Sequence, residues 1–166
     1  GFLYGNRHYL VAWSERRRQA VLFRLSRIER VELVDRGDLG TDRFELPPGF
    51  SLEAFFRRSF GVFQEEPVDV AWRFLPAAAD EASEHCFHPD QQSERLADGS
   101  LVVRFRAGGL QEMAWHLFTW GPSVEILEPP ALREELLRML NDGLRRHARA
   151  RTRSVALAKS RRRIAR

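Results

Sequence analysis

Between His8 and Ser14 nearly every position is apolar: Tyr9, Val11 and Trp13 fall on one side of an extended chain, and His8, Leu10 and Ala12 on the other. Alternation with both sides largely apolar predicts a strand covered on both faces, as in a small barrel or a covered sheet. "SERRRQ" (14–19) is a polar turn. A second strand follows from Gln19 to Leu25, with Val21, Phe23 and Leu25 on one face and Leu22 and Arg24 on the other. Ser26 to Ile28 reads as a short turn, and Val31, Leu33 and Asp35 as a third strand. The three strands predict an antiparallel meander, too small to be comfortably stable alone. Further strands are therefore expected upstream, in keeping with a chain that opens at Gly1 in mid-pattern without a methionine.

Residues 36–50 carry Gly and Pro and read as a connector. Ser51 is a good N-cap for an amphipathic helix bearing Leu52, Phe55, Phe56, Phe60 and Phe63. From Val68 the pattern changes. A strand is predicted over Val68 to Leu75, then a helix from Pro76 to about His85. A hairpin from Gln91 to Ala107 turns at Asp98-Gly99. Leu110, Met113, Ala114 and Leu117 mark a helix that ends before Gly121-Pro122. Ser123 to Leu127 is a strand. Pro130 starts a last helix with Leu132, Leu136, Leu137, Leu140 and Leu144 inside and a Glu134–Arg138 pair outside. The order β-α-β-β-α-β-α is that of a ferredoxin-like domain with one added helix.

Composition narrows the class. With 166 residues, 43% hydrophobic and 30% charged, the chain is an ordinary globular sequence. No stretch approaches a membrane span or a signal peptide, and an intracellular, cytoplasmic protein is expected. Cys86 is the single cysteine, which excludes an intramolecular disulfide and a thiolate cage. The net charge of +4 conceals an asymmetry. Eight of the 27 basic residues (Arg149, Arg151, Arg153, Lys159, Arg161, Arg162, Arg163, Arg166) follow Ala148 with no acidic residue among them; the remaining 19 face 23 acids, so residues 1–148 carry −4. Such a tail holds nucleic acid nonspecifically, or is simply solvated and disordered.

"LYGNRHYLVAW" followed by "LFRLSRIERVELVD" resembles the second half of a WYL domain, the Sm-like or SH3-like small barrel of bacterial transcription regulators. His8-Tyr9-Leu10 stands where the family has Trp-Tyr-Leu. "FRLSRI" is similar to the family's arginine-bearing strand, and "SLEAFFRRSFGVF" to its linker helix. Residues 67–147 resemble the WCX extension through "HPDQ", "LADGSLVVRFR" and "LFTWGPSVEILEPPALREEL". The resemblance implies an α+β chain in four parts: part of a WYL barrel (1–36), a connector with its helix (37–66), a ferredoxin-like WCX domain (67–147) and a basic tail, disordered or frayed (148–166). It also implies a homodimeric effector-sensing region whose promoter DNA is held by a helix-turn-helix further upstream.

Arg24 and Arg27 are the first candidates for the effector. A buried arginine is costly unless paired, and its planar fork suits phosphate, carboxylate and stacked bases. The alternatives are pairing with Glu29 or Glu32 for Arg24 and with Asp35 for Arg27. Tyr9 offers either a core ring or a stacking platform for single-stranded nucleic acid. His8 is structural or a pH-sensitive donor. Arg18 in "ERRR", and Arg104 and Arg106 on one strand face, are solvated residues or further phosphate contacts. A purely structural dimerisation module, a truncated-gene remnant and a non-nucleotide anionic ligand are the rival readings. "HCFH" (85–88) offers His85, Cys86 and His88, fewer than the four ligands of a closed zinc site. No cofactor and no catalytic motif is expected.

Overall fold

The computed structural model describes residues 1–4, 7–32 and 47–164, leaving aside the side chains of 2–3 and of 151 onward. Strands β1 (Phe2–Tyr4), β2 (Arg7–Ser14) and β3 (Gln19–Arg24) form a three-stranded antiparallel sheet in chain order. Its third strand is thus the upstream one. The strand expected at Val31 is not formed there: Leu25–Arg27 coil into a 3-10 turn, the Ile28 N–H donates to the Leu25 carbonyl at 3.1 Å, and Val31 is left 79% exposed. Leu33 and Asp35 lie outside the described residues. The expectation of two covered faces also needs correction. Tyr9 is buried, whereas Leu10, Trp13 and Phe23 stay exposed.

Helix α1 (Leu52–Arg57) starts where expected, with the Ser51 hydroxyl accepting the Ala54 N–H at 3.2 Å. It is shorter than the aromatic spacing suggests. After Arg57 the backbone is claimed by another segment: Gly108 N–H donates to the Arg58 carbonyl at 2.8 Å, and Phe60 N–H to the Gly108 carbonyl at 2.9 Å. Phe60 and Phe63 therefore leave the helix and pack separately, Phe60 against Trp72 and Phe63 against Trp115.

The remainder follows in the order β4 (Val68–Phe74), α2 (Pro76–Ser83), β5 (Gln92–Arg95), β6 (Leu101–Ala107), α3 (Leu110–Phe118), β7 (Val124–Glu128) and α4 (Pro130–Ile164). The four strands pair antiparallel in the order β5-β6-β4-β7. Period-2 alternation decides what is inside. Val70, Trp72 and Phe74 on β4 lie opposite Phe105, Val103 and Leu101 on β6, and all six are buried. Met113, Ala114 and Leu117 of α3 and Ala79 and Ala82 of α2 complete this core. At the β5–β6 turn, Gly99 takes φ +84°, and the Asp98 carboxylate accepts the Ser100 N–H and hydroxyl. Those bonds, with Arg73 beside them, hold the Asp98 carboxyl down at about 2.

Helix α4 departs from expectation twice. Leu132 is fully buried, but Leu137, Leu140 and Leu144 are 51%, 43% and 69% exposed, so only the first turns sit on α3 and β7. Arg138 pairs with Glu135 at 2.5 Å and Asp142 at 3.7 Å rather than with Glu134. The helix is drawn on to Ile164, through most of the basic segment.

Candidate functional site

The sheet register sorts the candidate residues. Directly opposite residues of antiparallel strands share a face. Tyr9 lies between Phe2 on β1 and Arg24 on β3, and the neighbouring rows on that face are Tyr4–Arg7 and Val11–Leu22. The Arg24 guanidinium carbon sits 6.0 Å from the Tyr9 ring centroid, at the outer limit of a cation–π contact. Arg24 is half-buried, yet no acid among the described residues pairs with it; Glu32 bonds to Arg30 instead. The other candidates fall elsewhere. Arg27 is exposed in the 3-10 turn just beyond Arg24. His8 takes the opposite face, across from Leu3, and is exposed there. Arg18 is in the hairpin tip at φ +49°, about 20 Å along the strand from Arg24. Arg104 and Arg106 share the outer face of β6; Arg106 pairs with Asp69 at 3.0 Å, and Arg104 has no acidic partner among the described residues. Register therefore joins Tyr9 with Arg24, keeps Arg27 adjacent, and separates His8.

A second cluster lies at the edge of this face. Glu112 on α3 is 4% exposed and accepts the Val62 N–H at 3.1 Å and the Phe63 N–H at 2.8 Å. The Tyr4 hydroxyl bonds to the same carboxylate, and burial, followed by the Glu112 charge and that bond, pushes the phenol up to about 12. Gly61 makes room: a Cβ there would lie 2.7 Å from each Glu112 oxygen and also meet the Tyr4 hydroxyl. Glu65 completes the connector's attachment, its carboxylate accepting the Gly109 and Leu110 N–H groups at 3.1 Å each at the start of α3. Neither role is visible in the sequence, where Glu65 reads as part of a connector and Glu112 carries no signal of its own. The Gly108-Gly109 pair was the available signal, since such a pair marks close backbone approach.

The "HCFH" residues serve the fold. His88 is 2% exposed; its Nε2 lies 3.0 Å from the Arg57 carbonyl and its Nδ1 accepts the Asp90 N–H at 3.1 Å. Gln91 accepts from Phe87 and His88 N–H and donates to the His85 carbonyl. "HPDQ" is thus a loop that clasps the end of α1, helped by Asp90–Arg57 at 2.5 Å. Nearby, Trp120 donates its indole N–H to His116 Nε2 at 3.2 Å. Burial, then the charge of His85, lowers the His116 pKa below its ordinary 6.5. A histidine with a depressed folded pKa binds its proton more readily when unfolded, so its stabilisation is complete above about pH 6.5 and is lost as pH falls. Chemical denaturation is expected to show lower stability at about pH 5.5 than at about pH 7.5, with a smaller difference in His116→Gln. An equal difference in both proteins would assign the acid sensitivity to other groups.

The WCX domain family matches residues 66–154, and the WYL domain family matches residues 2–33. The chain belongs to the WCX family. A WYL match thus precedes a WCX match along the chain. Among solved structures, it is similar to Proteasome accessory factor B/C (PafBC) of Arthrobacter aurescens, at 24% identity and a TM-score of 0.35. That match covers 79% of this chain and 19% of the other, so the chain spans about a fifth of that protein's length. No curated protein matches. In this WCX-family chain, the Tyr9–Arg24 face belongs to the WYL segment and Glu112 to the WCX segment. No helix among the described residues is long and apolar enough to cross a membrane.

Proposed function

We propose that this chain is the effector-sensing and dimerising region of a WYL-domain transcriptional regulator, with the effector bound on the Tyr9–Arg24 face and Arg27 at its edge. The observation that carries this reading is Arg24: a half-buried, permanently charged residue on a strand, over a tyrosine ring, without an acid among the described residues to neutralise it. A charge held partly out of water without a partner is costly, and an anionic ligand would pair it. A guanidinium held over the buried Tyr9 ring suits a phosphate and can itself stack on a base. Short single-stranded nucleic acid is therefore the effector we favour, ahead of a non-nucleotide anion in the same place. Arg104, on the WCX segment, is a further phosphate contact in this reading only by reaching the partner subunit's site in a homodimer; Arg18, Arg106 and His8 are peripheral to it.

The division into a partial Sm-like barrel (1–36), a connector (37–66), a ferredoxin-like domain (67–147) and a basic segment (148–166) belongs to the same proposal. Strand order β5-β6-β4-β7 with α2 and α3 as the crossovers supports the ferredoxin-like part. Homodimerisation is supported by Leu137, Leu140 and Leu144, which leave apolar surface uncovered at heptad-like spacing on α4.

Fluorescence anisotropy with a labelled single-stranded oligonucleotide across a salt series tests the site. Arg24→Ala is expected to weaken binding about 10- to 100-fold, the equivalent of losing one stacked, charge-paired base. Arg24→Lys, which keeps the charge and loses the planar stack, should fall between. Equal affinity of Arg24→Ala and the parent chain would move the effector off this face.

A further inference from the structure

The C-terminal part of α4 is rich in charge and poor in large apolar residues. From Leu144 to Ala150 every residue is exposed, and from Ala148 to Arg166 the sequence holds eight basic residues and no acid. Yet the backbone remains helical to Ile164. A helix with so little apolar side chain to bury is marginal in water. This one also places like charges four apart, at Arg145, Arg149 and Arg153 and again at Lys159 and Arg163, which disfavours the helix further. Such a rod becomes stable when a polyanion neutralises it.

We propose that residues 145–164 form a nucleic-acid-binding arm that lies along the phosphate backbone of duplex DNA, independently of the Tyr9–Arg24 site. Two features select duplex DNA over other polyanions. Residues 148–164 span about 25 Å as a helix, and a duplex presents a charge roughly every 1.7 Å along its axis, so several cations are matched at once when the helix lies along it. The segment is also dominated by arginine, whose fork fits phosphate. An anionic membrane is the less fitting partner: the segment has no aromatic residue, and Val155, Leu157 and Ile164 are its only large apolar residues. Helices that lie in a membrane interface carry a broad apolar face. The arm would add sequence-independent affinity to whatever specific DNA contact the regulator makes.

The test uses the full chain and a variant carrying Arg149→Gln, Arg153→Gln, Arg161→Gln and Arg163→Gln. Glutamine keeps helix propensity while removing charge. Binding to a random-sequence duplex is followed by anisotropy from about 50 to 200 mM salt, the range over which phosphate contacts reveal themselves. The full chain should bind with steep salt dependence and gain helical circular dichroism on adding duplex. The variant should lose roughly tenfold or more in affinity, with the log–log salt slope shallower by up to about 3.6, or 0.9 per phosphate released. An unchanged slope and affinity in the variant would overturn the proposal. So would tighter binding of the full chain to phosphatidylserine vesicles than to duplex at the same salt.

Discussion

Glu112→Ala is expected to destabilise the protein by about 3–5 kcal/mol, the sum of hydrogen bonds to a charged acceptor and the cost of leaving buried donors unmet. The carboxylate is almost entirely out of water and serves the Val62 N–H, the Phe63 N–H and the Tyr4 hydroxyl at once. Alanine leaves both backbone donors without an acceptor and leaves Glu65 as the remaining carboxylate tie between the connector and α3. Glu112→Gln keeps one carbonyl oxygen and should lose roughly half as much. Tyr4→Phe removes the hydroxyl alone and should cost about 1 kcal/mol, the ordinary net worth of one hydrogen bond. Gly61→Ala reaches the same bonds without deleting a partner, because its methyl group would occupy the space where Tyr4 and Glu112 meet. Urea denaturation followed by far-UV circular dichroism gives all four values. A loss below about 0.5 kcal/mol for Glu112→Ala, the level of an ordinary surface change, would mean that the connector is held by other contacts. Since Tyr4 stands on the face that carries Tyr9 and Arg24, the same series also tests whether the first sheet is mechanically joined to α3.

Trp72→Ala is expected to cost about 3–5 kcal/mol, as for other large aromatic truncations in a core. Trp72 is 0% exposed and is ringed by Phe60, Phe74, Phe87 and Phe105, with the His116 ring stacked at 26°. Trp72→Phe should behave very differently. The indole N–H of Trp72 is buried without a hydrogen-bond partner among the described residues, and an unmet buried donor costs about 1–3 kcal/mol. Phenylalanine removes that donor while keeping most of the ring, so the lost area and the relieved polar group offset each other. The two variants should therefore differ by several kcal/mol in the same denaturation assay. Similar losses for both would show that the volume of the second ring, not burial of an aromatic as such, sustains this core.

Sequence alone determined the elements whose signal is local. Period-2 alternation located β2, β3, β4 and β6. The cap at Ser51, Pro76 and Pro130 at helix starts, and Asp98-Gly99 in the hairpin each marked a boundary, because cap and turn chemistry acts within three or four residues. The charge asymmetry that sets residues 148–166 apart was equally legible, being a property of composition.

Tertiary structure decided what depends on distant partners. It made β1 the third strand of the first sheet, since edge pairing is a choice among segments that alternation cannot rank. It shortened α1 by giving the backbone after Arg57 to Gly108, and it assigned Glu65, His88 and Glu112 to backbone donors and acceptors far along the chain. It also split the candidate site, placing His8 and Arg24 on opposite faces and Arg24 over Tyr9. Neighbouring residues on a strand face opposite ways, and only pairing across strands tells which of them share a surface.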